Sequence, residues 1–276
     1  MSHLGPVVTR ENLFGKASRM LVLVLAATLI ASEPLLTFQA ADADQGVAVD
    51  EAFVYVIDNT AVAKHDKFTG EMVKRWEGGL RNPRTPVIHM NSGVVVDRKL
   101  YCAHSNYPGL PMTSSVEIFD TEKLGHIDAH NFGITDGSLT WMDWYDDFWW
   151  ACFAHYDGRG GDPDKDHTWT RLVQYDADMK PLQSWTFPKV VLGRFKPNSC
   201  SGGTWGPDGV LYVTGHDRSE IYGLRVPESG SVLEYVGTNS FPIEGQAIAF
   251  DRTGAGLLYG LVRSTNTVVA QPFPPR

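Results

Sequence analysis

From Val47 onward the chain alternates short apolar runs with clusters of Gly, Asp, Asn and Pro, and no long stretch repeats apolar residues at helical spacing. Period-two alternation bounded by turn residues predicts β-strands. One pattern recurs: an apolar strand, an Asp-marked turn, a second strand often carrying Leu-Tyr, a loop, a third strand, a turn and a fourth strand. The copies begin near Val47, Gly93, Ser138, Gly203 and Ala247, and the fifth supplies only three strands before the chain ends. Asp50, Asp97, Asp143, Asp208 and Asp251 mark the first turn, at spacings of 47, 46, 65 and 43. Asp66, Asp120 and Asp176 mark the later turn in copies one to three. Aspartate suits such places because its side chain bonds the local backbone. Four strands repeated about every 45 residues predict an all-β propeller of about five blades. Six blades, one degenerate, are the alternative count, and an early piece such as Gln45–Val49 is expected to close the ring. The long interval holds an insertion near Tyr156–Trp169 and a longer connection at Pro188–Ser199.

The N-terminus departs from this pattern. Arg10, Lys16 and Arg19 precede an apolar run, Met20–Ala31, which reads as a secretory signal and is short for a bilayer span. Ala41-Asp42-Ala43 offers a small-x-small cleavage site, so residues 1–43 are assigned to a signal and leader and 44–276 to one propeller domain. An uncleaved anchor is the other reading. The expected location is extracytoplasmic, periplasmic or secreted, with no transmembrane span in the mature chain.

Charge narrows the partners. The chain has 24 Lys and Arg against 32 Asp and Glu, a net charge of −8, with no basic cluster. That argues against nucleic acid and anionic membrane surfaces. The three cysteines, Cys102, Cys152 and Cys200, read as buried thiols rather than a disulfide framework.

The chemically capable residues gather at one rim of the expected disc. Antiparallel neighbours put the start of each inner strand beside the end of the second. The second-strand ends carry Asp58, His104, His155, His216 and Arg263. The inner-strand starts carry His89, Asn91 and Ser92, then Asp136 and Ser138, then Ser199 and Ser201, then Glu244 and Gln246. Imidazoles from different blades are candidate ligands of one divalent metal: His89, His104, His155 and His216, with zinc or iron favoured by nitrogen donors. Without a metal, His155 and His216 are candidate proton-transfer groups, Glu244 a partner base and Arg263 an anion holder. Asp58, Asn91, His104, Asn106, Asp136, Ser201 and Gln246 are the candidate ligand contacts. The insertion is expected to fold over this rim as a lid. Its Asp162, Asp164 and Asp166 have a spacing used by calcium loops, but His167 and Val173 stand where an EF-hand needs Gly and Glu. Trp141, Trp144, Trp149 and Trp150 are expected chiefly to pack blade on blade.

Two segments carry a resemblance. Gly203–Val226 (GTWGPDGVLYVTGHDRSEIYGLRV) resembles the repeat of NHL and gluconolactonase-like propellers. Pro242–Asp251, with Glu244-Gly245 at its head, resembles a segment of glutaminyl-cyclotransferase-like and phytase- or esterase-like propellers. The mature chain looks like exported bacterial propellers of this kind, some labelled cycloisomerase. Gluconolactonase-like enzymes hold a metal with a Glu, Asn and Asp set, for which Glu244, Asn91 and Asp58 are the nearest positions here. The resemblance implies lactone hydrolysis, ester hydrolysis or cyclisation of a small molecule at the channel mouth. The alternative is a non-catalytic scaffold for a protein or glycan partner.

Overall fold

Each sequence copy forms one four-stranded antiparallel sheet. The computed structural model describes residue 1 and residues 36–79, 86–253 and 256–273. The signal segment therefore lies outside the described residues. Blade I is β2 (Gly46–Val49), β3 (Phe53–Ile57), β4 (Ala61–Asp66) and β5 (Met72–Glu77). Blade II is β6 (Met90–Val96), β7 (Lys99–Ser105), β8 (Thr113–Asp120) and β9 (Gly125–Ile134). Blade III is β10 (Ser138–Tyr145), β11 (Phe148–Ala154), β12 (Arg171–Tyr175) and β13 (Pro181–Thr186). Blade IV is β14 (Gly202–Trp205), β15 (Leu211–Thr214), β16 (Glu220–Arg225) and β17 (Glu234–Ser240). Blade V takes β18 (Ala249–Phe250), β19 (Leu257–Val262) and β20 (Thr267–Pro272) from the C-terminus and its outer strand from β1 (Leu36–Gln39). Inner strands touch in the order β2, β6, β10, β14, β18 and back to β2, so the ring closes with five blades.

Strand alternation explains the packing. Successive side chains point to opposite faces, so each blade offers one apolar set to each neighbour. Five separate apolar cores result, one between each pair of blades. Trp141, Trp149 and Trp150 are buried within them, and Trp205 stacks on Tyr145 across blades III and IV at 4.7 Å. The tryptophans thus pack blade on blade, as expected.

Three expectations change. An early piece closes the ring, as expected, but it is β1 rather than Gln45–Val49, whose residues 46–49 form the inner strand of blade I. Residues 36–43, assigned to the leader from the sequence, are packed on the ring. Leu36 and Phe38 pack on the core between blades V and I, and Ala40 and Ala43 are buried in it. Asp42 accepts hydrogen bonds from Arg75 Nε and Nη2 at 2.9–3.0 Å. The second change concerns Asp143, which lies inside β10. The blade III turn is Asp146-Asp147, both left-handed, like Asp97-Arg98 in blade II. The buried Asp143 carboxylate instead accepts from Trp205 N at 2.8 Å, Thr204 Oγ1 and the Arg252 guanidinium, tying blades III, IV and V together. Third, the Pro188–Ser199 connection contains the one α-helix among the described residues, α1 (Lys189–Phe195), which packs Val191, Leu192 and Phe195 against the core between blades III and IV. The later-turn aspartates behave as expected, each accepting from two backbone N–H groups of its turn.

Candidate functional site

Second-strand ends and inner-strand starts do meet at one face, as Gly46↔Ile57, Met90↔His104, Ser138↔Ala154 and Gly202↔Thr214 pair across the first two strands of their blades. The rim residues there have quite different surroundings. His104, at the end of β7, is satisfied on both ring nitrogens. Its Nε2 accepts from Ile88 N–H at 3.1 Å, so the proton sits on Nδ1, which donates to Ser115 Oγ at 2.9 Å. Ser115 donates to Glu117 at 2.6 Å, and Glu117 accepts from His126 Nε2 at 2.7 Å. Burial would raise the Glu117 carboxyl, but the bonds from His126 and Ser115 outweigh it and hold it below its usual range. Burial lowers the His104 pKa. This is a structural relay across blade II, with no lone pair left on His104 for a metal or a ligand.

His89, one residue before β6, donates Nδ1–H to Asn59 Oδ1 at 2.6 Å, and Asn59 donates in turn to Asp44. Burial, then the neighbouring His104, push its pKa down to about 4. Its ring lies 5.1 Å from Tyr107, whose ring is 5.1 Å from Tyr156.

His155 follows β11 and is buried, at 4% exposure. Its Nε2–H donates to Asp136 Oδ1 at 3.1 Å, while Nδ1 has no partner among the described residues. Asp136 also meets Lys165 and, at 3.0 Å, Arg171. Burial alone would raise the Asp136 carboxyl, yet Lys165 and Arg171 keep it below its usual range. Burial, reinforced by the two cations and opposed by Asp136, lowers the His155 pKa, so the imidazole is neutral at pH 7. His155 lines a cleft of about 350 Å³ between the loop after β7 and the blade III insertion. Leu110, Pro111, Met112 and Ile134 give the cleft an apolar wall, and Asp136, Tyr156 and Lys165 converge as its polar groups. The insertion lies against the blade II loop as a cover: at Gly160, whose φ is +51°, a Cβ would stand 2.6 Å from the Tyr107 ring.

The other expected residues have local duties. His216 Nδ1 bonds Asp217, which also accepts from Asn198 Nδ2 at 2.7 Å; Arg263 donates to the His216 carbonyl at 3.0 Å. Glu244 caps the turn Arg263–Thr265 by accepting from Ser264 N and Oγ, which lowers its pKa. Gln246 is buried in a left-handed conformation, held through its backbone to Gly215 and Thr214. Asn91 donates to the Leu139 carbonyl at 3.1 Å, linking blades II and III. Asp58 accepts from Asn59 in its own turn, and burial raises its pKa. Asn106 closes its own loop by accepting from Thr113 N and donating to Pro111 O. Ser201 is buried, with its backbone bonded to Thr214.

Among the described residues, one group of three His, Cys, Asp or Glu has ligand atoms within 4.8 Å of one another: Asp157, Asp166 and His167, on the insertion. It contains none of His89, His104, His155 and His216, nor the Glu244, Asn91 and Asp58 set. His167 Nδ1 donates to Asp157 Oδ1 at 2.6 Å, and Asp166 caps Thr168. Of the calcium-like trio, Asp162 instead accepts from Asp164 N and meets Lys165. Lys165, Arg171, Tyr156, Asp157 and His167 were not singled out in sequence because each becomes relevant only through a contact across the loop. The adjacent His216-Asp217 pair was the one such signal legible locally.

The fold and this rim define a five-bladed β-propeller with a cleft lined by the loop after β7 and the blade III insertion. The chain is similar to glutaminyl cyclase of Myxococcus xanthus, with a TM-score of 0.55 and 10% identity over 86% of this chain and 94% of that one. It is also similar to luciferin-regenerating enzyme, with a TM-score of 0.50 and 9% identity over 85% and 94% of the two chains. These likenesses bear out the propeller resemblance at the level of fold. No protein-family model matches the chain, and no curated sequence is significantly similar to it. Among the described residues no helix is long and apolar enough to cross a membrane.

Proposed function

We propose that this chain is an exported propeller that binds a small, partly apolar molecule in the cleft beside His155 and acts on it by proton transfer. The observation that carries the reading is the buried His155 imidazole, anchored to Asp136 on one nitrogen and unpartnered on the other, at a cleft of ligand size. A neutral imidazole held by a carboxylate has a fixed tautomer, which makes its free nitrogen a directed base. Its proton donor is a water or an acidic C–H of the ligand, consistent with hydrolysis or isomerisation of an ester or lactone. Lys165, which lines the cleft, supplies positive charge near an oxygen that such a step would make anionic.

The reading assigns a divalent ion to Asp157, Asp166 and His167 rather than to the rim histidines. Two carboxylates and an imidazole suit zinc or iron better than calcium. That ion would brace the cover and take no part in the proton transfer.

The test is hydrolysis of a panel of γ-lactones and p-nitrophenyl esters by the wild type and His155→Gln. A hydrolysed member should lose roughly 10²–10⁴-fold in turnover in the variant, with an unchanged melting temperature. Equal turnover in both proteins would refute the assignment. No turnover in either, with a protein or glycan partner retained equally by both, would support the scaffold reading.

A further inference from the structure

The core between blades III and IV contains two cysteines that the rim chemistry does not use. Cys152 lies on β11, and Cys200 lies two residues before β14, about fifty residues later in the chain. Both are fully buried in the same apolar cluster. Two neighbouring side chains touch both segments. Thr140 Oγ1 lies 3.5 Å from the Cys152 carbonyl oxygen and 2.8 Å from that of Cys200. Trp141 is paired with Cys152 across β10 and β11, and its indole N–H donates to Cys200 Sγ at 3.2 Å. Cys102, by contrast, sits in the core between blades I and II with no second cysteine in its cluster.

We propose that Cys152 and Cys200 form a disulfide joining blade III to blade IV when the chain folds in an oxidising compartment. The oxidant is a disulfide, either of a small thiol or of a thiol oxidoreductase. One cysteine thiolate attacks it, forming a mixed disulfide and releasing one thiol. The second thiolate then displaces the other thiol. Two protons and two electrons pass from the cysteines to the oxidant, which leaves as two thiols.

Burial pushes the Cys152 thiol well above its ordinary range, so little thiolate exists in the finished ring. Exchange therefore belongs to folding, before residues 188–201 cover the pair. An oxidising export compartment would supply that moment, and a reducing cytosol would leave three thiols.

The test begins with unfolded, reduced full-length protein, refolded in a mixture of oxidised and reduced glutathione. The native circular dichroism spectrum is confirmed, and the protein is alkylated in denaturant and digested. The expected result is one alkylated residue, Cys102, and a cross-linked peptide pair containing Cys152 and Cys200. Reduction should lower the melting temperature by roughly 5 °C or more. A Cys102→Ser variant should show no alkylated cysteine after the same refolding, and its fold does not depend on losing either proposed partner. Three alkylated cysteines in natively refolded wild type, or a cross-link involving Cys102, overturns the proposal.

Discussion

The second strands of blades II and III each carry a histidine near the same end, His104 within β7 and His155 just after β11, yet the two imidazoles have opposite surroundings. At the end of β7 the C-strand partner of His104 is Ser115, two residues before Glu117, and the backbone N–H of Ile88 lies on the other side of the ring. Every polar atom of that imidazole is used. At the end of β11 the chain leaves the blade for the insertion, so among the described residues the ring bonds only Asp136, and the residue lines the cleft with its second nitrogen unpartnered. How many ring nitrogens of a strand-end histidine are bonded depends on its neighbours, not on its position in the repeat.

The largest expected effect comes from opening the ring in which both histidines sit. A variant starting at residue 44 lacks β1, four β20 pairings and the Asp42–Arg75 pair. It should unfold cooperatively at a much lower temperature than one starting at residue 34, or fail to fold. Equal stability of the two would show that residues 34–43 are dispensable to the ring, as a leader ending at residue 43 requires. Next comes the pair His104→Ala and His155→Ala. Removing His104 leaves the part-buried Ile88 N–H without its partner and takes one bond from Ser115, which should cost about 1–3 kcal/mol in urea unfolding. Removing His155 should cost less, because Lys165 and Arg171 still neutralise Asp136. The reverse order would break the comparison.

Acid should act mainly through the buried histidines. The folded-state pKa of His89 is about 4, below its ordinary value of 6.5, so the unfolded chain binds more protons between those values. His89 thus contributes full stability above about pH 6.5 and loses it as the pH falls toward 4, by at most ~3 kcal/mol. The lowered values of His104 and His155 add in the same direction. His89→Gln should flatten this part of the pH–stability curve; an unchanged slope would contradict the cause given. The smallest effect is expected on the insertion: zinc should raise the melting temperature of the wild type by a few degrees but not that of His167→Ala. Equal responses would remove the ion from Asp157, Asp166 and His167.

Much of the fold was legible in the sequence because strand alternation and Asp turns are local signals. The five-blade count and the later-turn aspartates follow from them. Asp143 misled because an aspartate three residues short of Asp146-Asp147 looks the same in one dimension; only its distant partners Trp205 and Arg252 separate them. The role of β1 was hidden because pairing with β20 joins opposite ends of the chain. The meeting of second-strand ends and inner-strand starts at one face was legible, but the bonds each side chain makes there were not. The relay through His104 depends on the register of β7 with β8, and the His155–Asp136 pair depends on a contact 19 residues away.

The most direct measurement is ¹⁵N NMR of histidine-labelled protein, which distinguishes ring tautomers and follows them with pH and ligand. The account predicts a neutral Nδ1–H tautomer for His104, insensitive to any lactone that the protein is found to hydrolyse. It predicts a neutral Nε2–H tautomer for His155, titrating below its ordinary pKa and shifting when that lactone is added. The same tautomer at both positions, or a His155 signal indifferent to a lactone that is hydrolysed, would contradict it.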